Sequence, residues 1–289
     1  MITIKRQPSS SYVSYQRGDI PLVLTVPHGG YTGGKEIPDR PEKGGNVLVN
    51  DGYTVDTARL LSEYITDYYG SRPYMVICNV RRRKVDVNRP LDLSTESAEG
   101  QAVWKEYHQT VQRAVNEIRA RHKQQGLLLD IHGHSRHDLV MLGYLLHKNE
   151  LIQLQDDRNR TDQAVLKKSS IQTLAARISI PEHPSELLRG DGSFGELMEY
   201  SEETVKAVPS SSHPAPLQDE FYYSGGYTTH AYHKNDSNRN GLDVIQIELP
   251  RYLRLTPDQR QVAARAITGA VTYWLDQYYQ PVILDKAKL

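Results

Sequence analysis

Two histidines stand directly behind apolar runs. Residues 20–26 lead into Pro27-His28-Gly29-Gly30, and residues 127–131 lead into His132-Gly133-His134-Ser135. Imidazoles from two separate strand ends, joined by one carboxylate and a water, make the donor set of a catalytic zinc centre. No short local signature such as HExxH is present, so the fold itself would have to assemble the set. Strand alternation puts His134 on the side of His132, where the two compete for the ligand position. Asp130 shares that side and is placed to orient an imidazole from behind. Glu248 sits inside Val244-Ile245-Gln246-Ile247-Glu248-Leu249, where an unpaired carboxylate is costly to bury. Desolvation there would raise its pKa toward that of a general base, able to take a proton from the water and return it to a leaving amine. An ion pair with Arg251 is the plainer account of the same residue.

Cationic residues gather between the second apolar run and Pro90, in Arg81, Arg82, Arg83, Lys84 and Arg89. They suit a bidentate grip on a substrate carboxylate, and the alternating Val85-Asp86-Val87 ahead of Asn88-Arg89 would hold Arg89 in a fixed place. A solvated charge run is the bland alternative. Gly225-Gly226-Tyr227 suggests a rim that positions or covers a substrate. Ser193 lacks the G-x-S-x-G elbow, which sets a serine hydrolase aside.

The elements that must position these residues form an α/β pattern. Strands are expected at 20–26, 74–80, 127–131, 139–146 and 244–249. Helices are expected at 52–69, closed by Gly70, and at about 103–118. A third is expected at 162–178, and a last one opens on Thr256-Pro257-Asp258-Gln259 with Val262, Ile267, Val271 and Trp274 on its apolar face. Residues 148–161 read as a charged loop, and 181–233 as an extended region draped over the scaffold. The order implies a mostly parallel, mixed sheet with helices on both faces, in one catalytic domain spanning 1–289. His28, Asn88, His132 and Glu248 all fall at or just past strand ends, where such sheets gather ligands.

Composition narrows the partners. The 289 residues carry 35 Lys plus Arg against 35 Asp plus Glu, so no global charge draws the chain to nucleic acid or an anionic membrane. Cys78 is the only cysteine, which excludes an internal disulfide framework and points to the cytoplasm. The N-terminal segment has no apolar core of a signal peptide, and no membrane-spanning run follows.

Taken in order, Val26-Pro27-His28-Gly29-Gly30, Arg83-Lys84-Val85-Asp86-Val87-Asn88-Arg89, Asp130-Ile131-His132-Gly133-His134-Ser135, Gly225-Gly226-Tyr227 and Gln246-Ile247-Glu248-Leu249-Pro250-Arg251 resemble the N-formylglutamate amidohydrolase family. Residues 188–195 and 208–210 add to the series. The resemblance implies a phosphorylase/hydrolase-like fold related to zinc carboxypeptidases, with Zn2+ held by histidine, an acidic residue and histidine. It assigns His28 and His132 as ligands and Glu248 as general base. For the acidic ligand, Asp51 is chosen because it follows the first histidine loop and opens a helix, with a plain N-cap as its other reading and Glu36 and Asp56 as rivals. Arg83, Asn88, Arg89, His134, Gly226 and Tyr227 become the substrate-binding set. The chain departs from the family in having His-Gly-Gly at the first motif and Gly133 directly after His132, which bears on the substrate more than on the chemistry. The expected activity is hydrolysis of the amide bond of a small carboxylate-bearing N-acyl amino acid. A carboxypeptidase acting on peptide C-termini and a non-catalytic binding protein on the same fold are the alternatives.

Overall fold

The computed structural model describes residues 12–42, 44–156, 161–178, 185–234 and 239–279. Residues 1–11 and 280–289 of the expected domain lie outside the described residues, and with them most of the N-terminal segment read above. So do 157–160 of the expected loop and 181–184 at the head of the expected draped region.

In chain order the elements are β1 (Val13–Gln16), β2 (Leu22–Val26), α1 (Thr54–Tyr69), β3 (Tyr74–Cys78), α2 (Leu91–Ser94), α3 (Ala98–Arg121), β4 (Leu127–His134) and β5 (Val140–Gly143). There follow α4 (Lys148–Asp156), α5 (Thr161–Leu166), α6 (Gln172–Arg177), α7 (Glu186–Arg189), α8 (Phe194–Ser201), β6 (Ala207–Val208), α9 (Tyr227–Tyr232), β7 (Asp243–Pro250) and α10 (Pro257–Tyr278). The seven strands form one sheet in the order β1-β3-β2-β4-β7-β5-β6. The four central strands run parallel, β1 lies antiparallel to β3, and β5 lies antiparallel to β7.

Strand alternation sorts side chains between two layers. Leu22, Leu24, Leu127, Leu129, Ile131, Ile245 and Ile247 face α1 and α10, packed with Ala58, Leu61, Ile65, Ile267, Val271 and Trp274. Val23, Leu128 and Val244 face α3, against Val103, Tyr107, Val111 and Ile118. These side chains are almost wholly out of water, and each fully buried aliphatic group contributes about 1.5–3 kcal/mol. The parity has a consequence for chemistry: Asp130, His132, Gln246 and Glu248 share the α3 side of the sheet. Register sets Asp130 opposite Gln246 and His132 opposite Glu248.

Helix ends follow the sequence where a cap is present. Gly70 closes α1 at φ 65, and its N–H bonds back to the Thr66 carbonyl. Thr256 and Gln259 cap α10 reciprocally, with Pro257 opening the helix. Elsewhere the expectations need correcting. Residues 148–156 are helix rather than loop, because Leu151 and Leu154 reach the core from an otherwise charged segment. The expected helix at 162–178 is two short ones, α5 and α6, separated by a turn. The region read as draped holds α7, α8, β6 and α9. Leu187, Leu188, Phe194 and Met198 anchor its first part in the core. Among the described residues no helix is long and apolar enough to cross a membrane.

Candidate metal centre and its cleft

Successive strands part at β2. The chain moves from β2 to β3 on one side, then crosses to β4 on the other, and a crevice opens past the carboxyl ends where the order reverses. His28 enters it from the loop after β2, His132 from the end of β4 and Asp51 from the approach to α1. The loop behind His28 is pinned by the Asp51 N–H on the His28 carbonyl at 3.1 Å. It passes so close to β3 that a Cβ at Gly30 would lie 2.2 Å from the Asn79 carbonyl group, so only glycine fits there.

One atom from each of His28, Asp51 and His132 lies within 4.8 Å of the others, and all three residues are buried. The imidazoles are mounted alike. His28 Nε2 is 2.7 Å from Asp86 Oδ1, and His132 Nε2 is 2.8 Å from Asp130 Oδ2. A carboxylate accepts, so both Nε2 atoms carry the proton in the neutral tautomer. Each Nδ1 then presents a lone pair toward Asp51 Oδ2, at 3.3 Å from His28 and 3.1 Å from His132. Three lone-pair donors converging in a buried site, with both histidines braced by carboxylates, fit a divalent cation.

The bracing groups are held in turn. Thr25 donates to Asp130 Oδ1 at 2.7 Å. Arg82 donates to Asp86 Oδ2 at 3.1 Å and to Asp51 Oδ1 at 3.3 Å. The Gly133 N–H donates to Asp51 Oδ2 at 3.2 Å. Electrostatics follow from this crowding. Burial opposes the Asp51 charge, yet His28 and His132 outweigh it and hold the carboxyl well below its ordinary value. For His132 burial disfavours the cation, but Asp130, Asp51 and Glu248 raise its pKa well above that of free imidazole. The cleft as a whole favours positive charge at its centre.

Glu248 is buried in the same cleft, and its Oε1 accepts from Gln246 Nε2 at 3.1 Å. Burial, reinforced by Asp51 and countered by His132, pushes its pKa up to about 7. Arg251, the partner in the plainer account, is exposed and forms no ion pair with Glu248 among the described residues.

The cleft has a volume of about 140 Å³, and Asn88, Arg89, Gly226 and Tyr223 complete its wall. Asn88 Oδ1 accepts from the Thr228 N–H at 2.8 Å, and its Nδ2 lies 3.3 Å from His132 Nε2. Gly226 passes so near that a Cβ would sit 2.3 Å from Asn88 Nδ2, and its N–H donates to Gln246 Oε1 at 2.7 Å.

The remaining sequence candidates lie elsewhere. Arg83 is outside the cleft wall, paired with Asp39 at 2.9 Å. Tyr227 packs its ring against Trp104 and His108, with centroids 5.9 and 5.4 Å away. His134 spends both nitrogens locally: Nε2 donates to the Leu139 carbonyl at 3.0 Å and Nδ1 accepts from the Arg136 N–H at 3.2 Å. Burial pushes its pKa down to about 4. Asp56 is exposed on the first turn of α1, and Glu36 is an exposed acceptor for the Tyr12 hydroxyl. Three contributors were not singled out from the sequence. Asp86 shares strand-like parity with Asn88, and Gln246 shares it with Glu248, so alternation carried a signal for both; Arg82 was hidden among its cationic neighbours.

No family model matches this chain, and no curated protein matches it. Its likeness is to solved structures. N-formylglutamate amidohydrolase from Ralstonia eutropha JMP134 superposes with a TM-score of 0.51 at 14% identity, over 91% of this chain and 98% of that one. The gene product Atu2144 from Agrobacterium tumefaciens gives 0.49 at 12% identity, over 92% and 95%. A bacteriophage poly-gamma-glutamate hydrolase gives 0.35 at 9%, over 93% of each chain. At such identities the likeness to the amidohydrolase is one of fold.

Proposed function

We propose that this chain is a zinc-dependent hydrolase of the amide bond in small N-acyl amino acids, with N-formylglutamate as the nearest named candidate. The observation that carries the reading is the meeting of His28, Asp51 and His132 with Glu248 in one buried cleft. A zinc ion bound there supplies a Lewis acid that polarises the scissile carbonyl and makes the attacking water more acidic.

The protein's own residues do the rest. With a pKa raised to about 7 by burial, Glu248 is a stronger base than an exposed carboxylate while still ionised in good part at neutral pH. It accepts the proton of the water as oxygen bonds to the carbonyl carbon. It then delivers that proton to the nitrogen as the carbon–nitrogen bond breaks, so the amine leaves uncharged. Gln246 keeps the Glu248 carboxylate aimed through its amide. Arg89, at the cleft wall, holds the substrate carboxylate, and Asn88 assists from a position fixed by Thr228. Arg82 stands between Asp51 and Asp86, pairing with both and helping to keep Asp86 ionised.

The test is product analysis. Zinc-loaded protein is incubated with N-formylglutamate, N-acetylglutamate and a dipeptide ending in glutamate. Release of glutamate from the acylated amino acids supports the reading. Release from the dipeptide alone would move the assignment to a carboxypeptidase, and release from none of these, nor from glutamate carrying a longer acyl chain, would leave a binding protein on a hydrolase fold.

A further inference from the structure

A second, larger cleft of about 580 Å³ adjoins the metal cleft, and the two share Val47, Asp51, Arg82, Gly133 and Tyr223. It is about four times the size of its neighbour, 580 against 140 Å³. The proposed ligand Asp51 therefore stands at the junction. Arg89 lines the smaller cleft and not the larger, and Gly133 lines both, so a substrate with its amino-acid carboxylate at Arg89 would have this space for its acyl substituent beyond Gly133. A formyl group, one hydrogen on the carbonyl, would leave it unused.

Charge in the larger cleft is one-sided. Among the described residues Arg82, Arg136, Arg251 and Arg254 line it, against Asp51 as the one acidic side chain. Two of these cations are committed. Arg82 neutralises Asp51 and Asp86. Arg254 is buried and ties the end of β4 to that of β7, donating to the carbonyls of His134 at 3.0 Å and Leu249 at 3.1 Å. The other two are available. Arg136 is exposed, with its guanidinium carbon 4.5 Å from the Phe221 ring centroid, a contact that uses the face of the group and none of its N–H donors. Arg251 is exposed and its side chain has no acidic partner among the described residues. Exposed Val49 and Leu255 supply apolar wall in the same cleft.

We infer that the larger cleft is the acyl subsite and that it takes an acyl chain of several carbons ending in a carboxylate, gripped by Arg136 and Arg251. The inference rests on reading the smaller cleft as an amide-hydrolase site, and it narrows the substrate class from any N-acyl amino acid to one whose acyl part is itself a dicarboxylic acid unit.

Binding is measured apart from turnover, by calorimetry on zinc-loaded Glu248→Gln protein. The probes are N-formylglutamate, N-succinylglutamate and N-succinamoylglutamate, the last carrying an uncharged amide in place of the succinyl carboxylate and keeping both carboxylates of glutamate. The succinyl probe is expected to bind at least about 10-fold tighter than either of the others. In the same protein also carrying Arg136→Gln and Arg251→Gln, that advantage is expected to shrink to within about twofold. Both arginines are on the surface, and circular dichroism checks that the variants fold. A succinyl probe no tighter than the succinamoyl or formyl probe overturns the inference, as does an advantage that survives loss of both arginines. Wild-type turnover is scored separately. An arginine-dependent advantage without hydrolysis of any probe would leave the subsite standing and remove the hydrolase reading beneath it.

Discussion

The two clefts that meet at Asp51 and Gly133 are built in opposite ways. In the smaller one the histidines and the carboxylates around them are buried and braced, with Arg89 exposed at the edge: each imidazole has a carboxylate behind it, and each of those carboxylates has a further donor. In the larger one the free cations are exposed, Arg136 on the loop after β4 and Arg251 on a 3-10 turn directly after β7. The contrast assigns reactivity to the sheet, where a misplacement of about 1 Å can cost about 100-fold, and recognition to a rim that can change without disturbing the sheet.

Substitutions can break or sharpen that contrast. The largest effect is expected at Glu248. Glu248→Gln should lower kcat by at least about 100-fold while metal content stays, measured by steady-state kinetics beside elemental analysis. The pH profile adds a sign. Because burial raises this carboxyl to about 7, the base is ionised above that pH and protonated below it, so kcat/KM should fall as pH drops through the region. A cation bound nearby favours the ionised form and can only move this acid limb lower. An acid limb kept unchanged in Glu248→Gln would assign it to another group.

Next come the braces. Asp86→Asn and Asp130→Asn should each weaken metal affinity about 10- to 100-fold, read by competition with a chelator, because each removes the negative charge behind an imidazole and one of the two acceptor oxygens that the carboxylate uses. At the cleft wall, Arg89→Gln should raise KM about 10-fold or more with a smaller change in kcat, as expected of a group that holds substrate equally in the ground and transition states. The smallest effect lies far from both clefts. Thr256→Ala, which removes the cap of α10, should cost about 1 kcal/mol in denaturant unfolding and leave kcat/KM alone.

The same contrast governs what could be read from the sequence. β2, β4 and β7 announce themselves as short apolar runs, and α1, α3 and α10 as long periodic segments with proper ends. Those runs locate the polar residues at their termini from the sequence pattern alone. Parity within β4 put Asp130 behind His132, where the structure has it. The pairing of His132 with Glu248 could not be read, because register between β4 and β7 is set by packing more than 100 residues apart in sequence. The stretch between β5 and β7 failed for a different reason. Its helices run from four to nine residues, too short for a 3.6-residue period to show, and Pro and Gly between them imitate loop. β1 was missed because only Val13 of its four residues is fully buried. Asp51 was preferred over Glu36 and Asp56 from its place after the first histidine loop, and the fold turns its carboxylate to the histidines while Tyr53 occupies the N-cap position of α1.

The central claim is that His28, Asp51 and His132 hold one zinc ion, and metal content by elemental analysis tests it most directly. Purified protein and its His28→Ala and His132→Ala variants are dialysed against limiting zinc and counted. About one zinc per chain in the parent, falling to near zero in both variants while each remains folded, is the predicted result. A parent without zinc, or zinc retained in both variants, would contradict the account at its root.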